Sequence, residues 1–186
     1  MDPDPASLTL LLLSLLASAF FSGMEIAYVS ANRLQAELDR NSGGIAGRIV
    51  EHLLRRPEQF IASMLVGNNL ALVIFGLESG TLLGNLLFGV PEWEAAPSPL
   101  LALAVQTGIA TLVVLIAAEF LPKSFFHGAP NRWLRVLSLP LVIIHYLLLA
   151  PALVVLALSR IFLGRKPDAE GEEQLGGVDL DHYVRS

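Results

Sequence analysis

The stretch PASLTLLLLSLLASAFFSGM, residues 5–24, runs for 20 residues without a formal charge. An α-helix needs about 20 apolar residues to cross the hydrocarbon core of a bilayer. Three more charge-free stretches follow along the chain, at 59–77, 95–118 and 136–159. The chain therefore offers four candidate membrane segments, and this pattern decides its fold class.

The composition excludes several classes of protein. Of the 186 residues, 54% are hydrophobic and 16% are charged, whereas soluble domains carry about 25% charged residues. The net charge of −5 gives no basic surface for a nucleic acid. Because the chain has no cysteine, it cannot form disulfides, thiolate metal sites or cysteine nucleophiles. We expect a membrane protein without a nucleic-acid partner.

The distribution of basic residues predicts how these segments are oriented. Five arginines lie between the first and second segments, at positions 33–56, and no basic residue lies between the second and third. Basic residues return after the third segment, starting at Lys123. Cytoplasmic loops carry an excess of lysine and arginine, so we predict a multi-pass protein of the inner (plasma) membrane, with its N-terminus outside and its C-terminus cytoplasmic. The crossing helices are expected over about 6–30, 60–88 and 99–126.

The fourth segment, 136–159, conflicts with this orientation because basic residues flank it on both sides, at 132–135 and at 160–166. Pro140 and Pro151 lie within it, and a proline inside a helix removes a hydrogen bond and kinks or breaks the helix. We predict a broken segment on the cytoplasmic side, within a juxtamembrane region of about 130–160. A fourth crossing is the alternative.

Together these elements predict an all-α membrane protein with three transmembrane helices, cytoplasmic-side juxtamembrane helices and a broken, proline-interrupted fourth apolar segment. The amphipathic region 31–58 supplies the first juxtamembrane helices. Residues 1–163 are expected to form the membrane domain. The polar residues 164–186 are expected to be a cytoplasmic linker toward a regulatory domain.

Three clusters of polar residues interrupt the apolar helices, and polar residues within a membrane indicate function because they are costly there. The first cluster is Ser22-Gly23-Met24-Glu25. Ser22 and Glu25 share a helix face, and Gly23 lets another backbone approach. Alternatively, Ser22 hydrogen-bonds within its own helix and Glu25 marks the membrane boundary.

The second cluster is Gly67-Asn68-Asn69, inside the second crossing helix. Consecutive helical residues point about 100° apart, so one asparagine can face a site while the other bridges two helices. The alternative is that both only join helices, with about 1 kcal/mol from each hydrogen bond.

The third cluster is Glu119-Phe120-Leu121-Pro122-Lys123, at the end of the third helix. Pro122 has no N–H to donate to the carbonyl of Ala118, which leaves that carbonyl free beside the Glu119 carboxylate. Hard cations prefer such oxygen ligands. The alternative is an ion pair between Glu119 and Lys123, worth about 0.5 kcal/mol.

A helix rises about 1.5 Å per residue, which places all three clusters in the inner half of the bilayer, where antiparallel helices bring them together. The available ligands are hydroxyl, amide, carboxylate and carbonyl oxygens. Such ligands suit Mg²⁺, Ca²⁺ or Mn²⁺ rather than Zn²⁺ or Cu²⁺, and Na⁺ fits the same set. The sequence therefore predicts a cation site and offers no catalytic residues.

The motifs Phe-Ser-Gly-x-Glu-x-Ala at 21–27, Gly-Asn-Asn at 67–69 and Glu-x-x-Pro-Lys at 119–123 resemble those of the CorC and cyclin M (CNNM) family of magnesium transporters. The resemblance covers about residues 5–160. It implies a homodimer in the lipid bilayer that exports Mg²⁺ and is driven by Na⁺ entry. It also implies that nucleotide binds only through cytoplasmic domains that normally follow. The implied metal ligands are Ser22, Asn68, Glu119, Asn69 and Glu25, with Gly23, Gly67, Ala118 and Pro122 shaping the backbone.

Glycines also recur every four residues in the outer part of the second helix, at Gly76, Gly80 and Gly84. This spacing predicts close helix packing, and a glycine-rich loop is the alternative. A second class of function stays open: a passive membrane anchor and dimerisation module for a cytoplasmic nucleotide-sensing domain. No serine–histidine or paired-aspartate arrangement at matching depth indicates an enzyme.

Overall fold

The computed structural model describes residues 5–32, 34, 44–89 and 98–163. Within these ranges the chain is helical and contains no strand. The predicted linker 164–186 and part of the first juxtamembrane region lie outside the described residues. The elements are α1 (Pro5–Val29), α2 (Ile45–Leu54), α3 (Pro57–Phe88), α4 (Pro99–Val113), a π-helical segment (Val114–Phe120), α5 (Leu121–His127), α6 (Pro130–Val136) and α7 (Ser138–Leu163).

Four helical stretches among the described residues are long and apolar enough to cross a membrane. The first three correspond closely to the predicted crossings, and the third combines α4, the π-helical segment and α5 into one stretch. The prediction of an all-α, multi-pass membrane protein is confirmed. The four stretches are Pro5–Val29, Pro57–Leu87, Pro99–His127 and Ser138–Phe162.

The fourth apolar segment differs from its prediction in one respect, because it forms a single helix, α7, rather than a broken one. Pro140 lies in the first turn of α7, where the N–H groups have no partner within the helix and proline is tolerated. Pro151 lies inside the helix. The helix continues through Pro151 to Leu163, as proline-containing helices do in membranes when neighbouring groups compensate for the lost bond.

Local sequence signals explain where several helices begin and end. Pro57, Pro99 and Pro130 each stand at the start of a helix, where the fixed φ of proline is preorganised and its missing N–H costs nothing. Gly89 ends α3 with a positive φ of 68°, and its N–H donates to the carbonyl of Asn85. A left-handed cap of this kind favours glycine.

The buried core lies where the end of α1 and the start of α3 meet α2, α6 and α7. Tyr28 stacks on Phe60 with ring centroids 4.1 Å apart, and its hydroxyl donates to the carbonyl of Leu53 on α2. The helices predicted to lie on the cytoplasmic side therefore pack on one end of the α1–α3 pair. The largest fully buried apolar side chains are Phe60, Met24, Met64, Leu134 and Leu141.

Two hydrogen bonds and one aromatic stack hold α6 in place. The N–H of Asn32 donates to Oδ1 of Asn131 at 2.9 Å, and Nδ2 of Asn131 donates to the carbonyl of Asn32 at 3.0 Å. Trp133 stacks on Phe126 of α5 with ring centroids 4.9 Å apart. The asparagine pair therefore fixes the residues just after α1 to α6, and the stacked rings fix α6 to α5.

The chain divides into two compact units, residues 1–156 and 157–186. The first unit holds α1 to α6 and most of α7, and it contains every candidate site residue. The described part of the second unit is the end of α7, through Leu163.

Candidate cation site

The first polar cluster lies on α1, and the other two lie on helical segments that pack against α1. Helix α1 carries Ser22, and it contacts α3, which carries Asn68, and the π-helical segment, which carries Glu119. Helix α1 also contacts α5, which begins at Leu121, directly after the π-helical segment. The structure thus places the second and third clusters on two neighbours of the helix that holds the first.

Two glycines allow these helices to approach closely. A Cβ atom on Gly67 would stand 2.4 Å from the ring of Phe21 and 2.8 Å from Leu148. A Cβ atom on Gly23 would stand 2.7 Å from the ring of Phe126. Because real Cβ contacts under 3.0 Å essentially do not occur, Gly67 admits an aromatic side chain from α1, and Gly23 admits one from α5.

Ser22 has an unusual environment. Its side chain is fully buried, and its Oγ has no hydrogen-bond partner among the described residues. Ser14, two turns earlier, behaves differently because its hydroxyl donates to the carbonyl of Leu11 at 2.8 Å. A buried hydroxyl without a partner costs about 1–3 kcal/mol. The hydroxyl of Ser22 is therefore not satisfied by its own helix, unlike that of Ser14.

The two asparagines of α3 have different partners. Oδ1 of Asn68 accepts a hydrogen bond from Oγ of Ser18 on α1, at 2.6 Å. Asn69 is exposed, and its Nδ2 donates to the carbonyl of Leu65 in its own helix, at 2.9 Å. An amide oxygen has two lone pairs, so Asn68 can accept this bond from α1 and still bind a cation.

Sequence analysis missed Ser18, which is fully buried and lies one helical turn before Ser22 on α1. Its hydroxyl donates a hydrogen bond to the side-chain amide oxygen of Asn68. A signal for it was present, since Ser14, Ser18 and Ser22 recur every four residues and share one face of α1. All three are buried. A face of buried serines on an apolar helix indicates that polar groups are paired or used there.

Glu119 lies in the π-helical segment. Just after it, the N–H of Leu121 donates to the carbonyl of Ile116, five residues earlier. Short π-helical insertions are rare and frequently occur at functional sites. Ala118, whose carbonyl was predicted to be free, is fully buried, and Pro122 is buried as well.

The carboxylate of Glu119 is half-buried and makes no hydrogen bond or ion pair with any residue that the structure describes. The alternative ion pair with Lys123 is therefore not formed. Glu25 is also half-buried and without such a partner within the described ranges. In the same ranges, no group of three or more histidine, aspartate or glutamate residues could hold a metal ion.

Comparison with known proteins assigns the family. The chain matches the model of the cyclin M transmembrane N-terminal domain over residues 8–185. The chain belongs to the cyclin M transmembrane family. The resemblance carried by the three motifs is thereby confirmed for this cyclin M domain.

Two curated bacterial proteins are similar to this cyclin M domain. The chain is 33% identical over 135 residues to the UPF0053 inner membrane protein YfjD of Escherichia coli (strain K12). The aligned region covers 67% of this chain and 29% of that protein. The chain is 30% identical over 126 residues to a UPF0053 protein of Haemophilus influenzae, and the aligned region covers 67% of this chain and 27% of that protein. The chain thus spans less than a third of the length of these relatives.

The glycines at four-residue spacing in this cyclin M domain have unequal surroundings. A Cβ atom on Gly80 would stand 3.1 Å from Nε2 of Gln106 on α4, whereas one on Gly76 would meet no described atom within 4 Å. Gly84 is buried. Close packing against α4 is therefore seen at Gly80, whereas Gly76 borders open space.

A second buried polar contact of the cyclin M domain joins α3 to α7. The hydroxyl of Ser63 donates to the carbonyl of Phe60 at 2.8 Å and lies 2.7 Å from Nδ1 of His145. Because a hydroxyl has one hydrogen, both hydrogen bonds form together only in the tautomer of His145 that carries a proton on Nδ1. Nε2 of His52 lies 2.9 Å from the hydroxyl of Tyr146. These bonds hold α7 against α2 and α3.

Proposed function

We propose that this cyclin M domain carries Mg²⁺ across the membrane through a site formed by Ser22, Asn68 and Glu119. Asn69 and Glu25 supply further oxygens from the same clusters. The observation that carries the proposal is the fully buried hydroxyl of Ser22, which has no partner among the described residues. Native proteins satisfy most buried polar groups, so an unsatisfied one on the helix that packs against the carriers of the other two clusters supports a role in binding.

The chemistry of these donors suits a hard divalent cation. Hydroxyl and amide oxygens are neutral ligands, and Glu119 adds a negative charge that no described residue neutralises. Oxygen ligands of this kind are preferred by Mg²⁺, Ca²⁺ and Mn²⁺. Mg²⁺ usually keeps several waters and binds one or two carboxylates, so water completes the proposed coordination shell.

We further propose that transport is export coupled to Na⁺ entry, performed by a homodimer in the plasma membrane with the N-terminus outside and the C-terminus cytoplasmic. The arginines between α1 and α3 support this orientation. Membership of the cyclin M family supports the coupling and the dimer. Nucleotide is expected to act through a cytoplasmic domain rather than through the membrane helices, and no enzymatic reaction is proposed.

A passive membrane anchor is the second candidate, and the bond between Ser18 and Asn68 favours it. Hydrogen bonds between membrane helices contribute about 0.6 kcal/mol on average, which is a reasonable role for an asparagine in an anchor. The anchor gives no role to Ser22 or Glu119, both of which lack partners among the described residues. Transport is therefore the better-supported function.

Replacing Ser22 by alanine tests the proposal against the anchor. The purified chain is reconstituted in liposomes that contain a Mg²⁺-sensitive dye, and Mg²⁺ flux is measured with and without a Na⁺ gradient. We expect Ser22→Ala to lower the flux at least about tenfold without lowering the melting temperature, because the lost hydroxyl has no hydrogen-bond partner among the residues that the structure describes. Ser14→Ala is the matched control, since Ser14 bonds its own helix, and its flux should be close to that of the wild type.

Equal flux in the two serine variants would remove Ser22 from the transport site. A folded wild-type chain that carries no more Mg²⁺ than protein-free liposomes would favour the anchor.

A further inference from the structure

An apolar groove of about 480 Å³ lies between α1 and α5. All of its lining residues are apolar. Two of them, Leu16 and Phe125, are 67% and 64% exposed, so the groove is open along its side. The lining includes Leu16, Ala19 and Phe20 on α1 and Pro122, Phe125 and Phe126 on α5.

The groove runs along its two helices. Leu16 and Phe20 are one helical turn apart on α1, and Leu121 and Phe125 are one turn apart on α5. Both walls belong to helical stretches that are long and apolar enough to cross a membrane. The groove therefore has the direction of a lipid acyl chain, which lies along the membrane normal.

Aromatic rings connect the groove to α6. The ring of Trp133 on α6 stacks on that of Phe126 with centroids 4.9 Å apart, and it lies 5.0 Å from that of Phe125. The indole N–H of Trp133 has no hydrogen-bond partner among the described residues. Tryptophan is enriched at the level of lipid headgroups, where its ring stays apolar and its N–H meets a polar group. Trp133 therefore indicates where the groove reaches the membrane surface.

This end of the groove is basic. Arg132, the neighbour of Trp133 on α6, is exposed and makes no ion pair or hydrogen bond with any residue that the structure describes. The sequence has no acidic residue between Glu119 and Asp168, so α5, α6 and α7 contain no negative side chain. A guanidinium binds phosphate through parallel hydrogen bonds, and basic residues at the membrane surface favour anionic lipids.

We propose that this α1–α5 groove binds one acyl chain of an anionic phospholipid, with Arg132 binding the phosphate and the indole N–H of Trp133 donating to an ester oxygen. The apolar lining suits a hydrocarbon chain, because a polar ligand would lose its hydrogen bonds to water there. The site does not depend on the proposed transport function. Since Pro122 lies in the wall and follows Glu119 by three residues, the bound chain packs beside the segment that carries Glu119.

Quenching of Trp133 fluorescence by brominated lipid tests this site. The sequence has two tryptophans, so Trp93→Phe leaves Trp133 as the reporter in the full chain. This chain is reconstituted in phosphatidylcholine vesicles in which an increasing fraction of the lipid is replaced by phosphatidylglycerol or phosphatidylcholine with the same brominated chains. Bromine quenches indole fluorescence only at short range. We expect the phosphatidylglycerol to associate about fivefold more tightly than the phosphatidylcholine, the effect of one arginine on an anionic lipid.

Charge removal tests the role of Arg132 in the same assay. We expect Arg132→Gln to remove most of the preference for brominated phosphatidylglycerol. Arg48→Gln on α2 is the matched control, because Arg48 is also exposed and without a described partner but lies outside α5 and α6. It should keep the preference, whereas equal losses in the two variants would contradict a phosphate site at Arg132.

Filling the groove tests the position of the acyl chain. Ala19→Phe places a ring in the lining, and we expect it to abolish the preference while circular dichroism shows an unchanged helix content. Ala104→Phe adds the same ring at an exposed position of α4 outside the groove and should keep the preference. A preference that survives in Ala19→Phe would overturn the inference, since the chain would then lie elsewhere.

Two results with the reporter chain itself would also overturn the inference. Equal quenching by the two brominated lipids would show that the groove holds bulk lipid without selection. Weak quenching by both would show that protein, such as a second copy of the chain, covers the groove.

Discussion

Replacing Glu119 by glutamine is expected to weaken Mg²⁺ binding at least about 100-fold, equivalent to about 2.7 kcal/mol. The substitution keeps the shape of the side chain and removes a negative charge that no described residue neutralises. Fold and melting temperature should stay close to those of the wild type, because no described contact of the carboxylate is lost. Calorimetric titration of the detergent-solubilised chain with Mg²⁺ measures the change.

Glu78→Gln is the matched control for this charge removal. Glu78 is also half-buried in a membrane helix, but its carboxylate accepts a hydrogen bond from Ser7 on α1, away from the three clusters. Its Mg²⁺ affinity should stay within about twofold of the wild type. The assignment of Glu119 fails if Glu119→Gln binds Mg²⁺ as tightly as the wild type, or if both glutamine variants lose affinity equally.

Replacing Gly67 by alanine is expected to destabilise the fold by about 1–3 kcal/mol, the usual cost of inserting a methyl group into a packed interface. The new Cβ would stand 2.4 Å from the ring of Phe21 and 2.8 Å from Leu148. The α1–α3 contact has to open to admit it, and this opening also moves Ser18 away from Asn68. The melting temperature in detergent, followed by circular dichroism, measures the loss.

Gly76→Ala is the matched control in the same helix. A Cβ at Gly76 meets no described atom within 4 Å, and alanine favours a helix over glycine by about 1 kcal/mol, so this variant should be at least as stable as the wild type. The close approach of α1 and α3 would be contradicted by a Gly67→Ala chain whose melting temperature equals that of Gly76→Ala.

Most of the fold follows from the sequence because the bilayer imposes a simple length requirement. Three charge-free stretches of about 20 residues became helices with ends close to the predicted ones, and Pro57 and Pro99 mark two of their starts. Continuity of the fourth segment was not predictable from Pro151 alone. The cost of one missing hydrogen bond depends on neighbouring groups that only the folded chain brings near.

The candidate site was predictable only in part. Residue types predicted the three polar clusters, because polar groups are conspicuous in apolar helices, and the family resemblance implied Ser22, Asn68 and Glu119 as the ligands within them. The hydrogen bond between Ser18 and Asn68 depends on how α1 and α3 are rotated about their axes. The positions of charge-free stretches in the sequence do not reveal this rotation. The π-helical segment that carries Glu119 is likewise a product of packing.

The central claim is that the three clusters form one cation site, and a Mg²⁺ titration of the wild-type chain beside Ser22→Ala tests it most directly. Calorimetry is run on the detergent-solubilised protein in Na⁺ buffer and in Na⁺-free buffer. The account predicts saturable binding to the wild-type chain that is weaker in Na⁺ and at least about tenfold weaker in Ser22→Ala. Absence of saturable Mg²⁺ binding in a folded wild-type chain, or binding unchanged in Ser22→Ala, would contradict it.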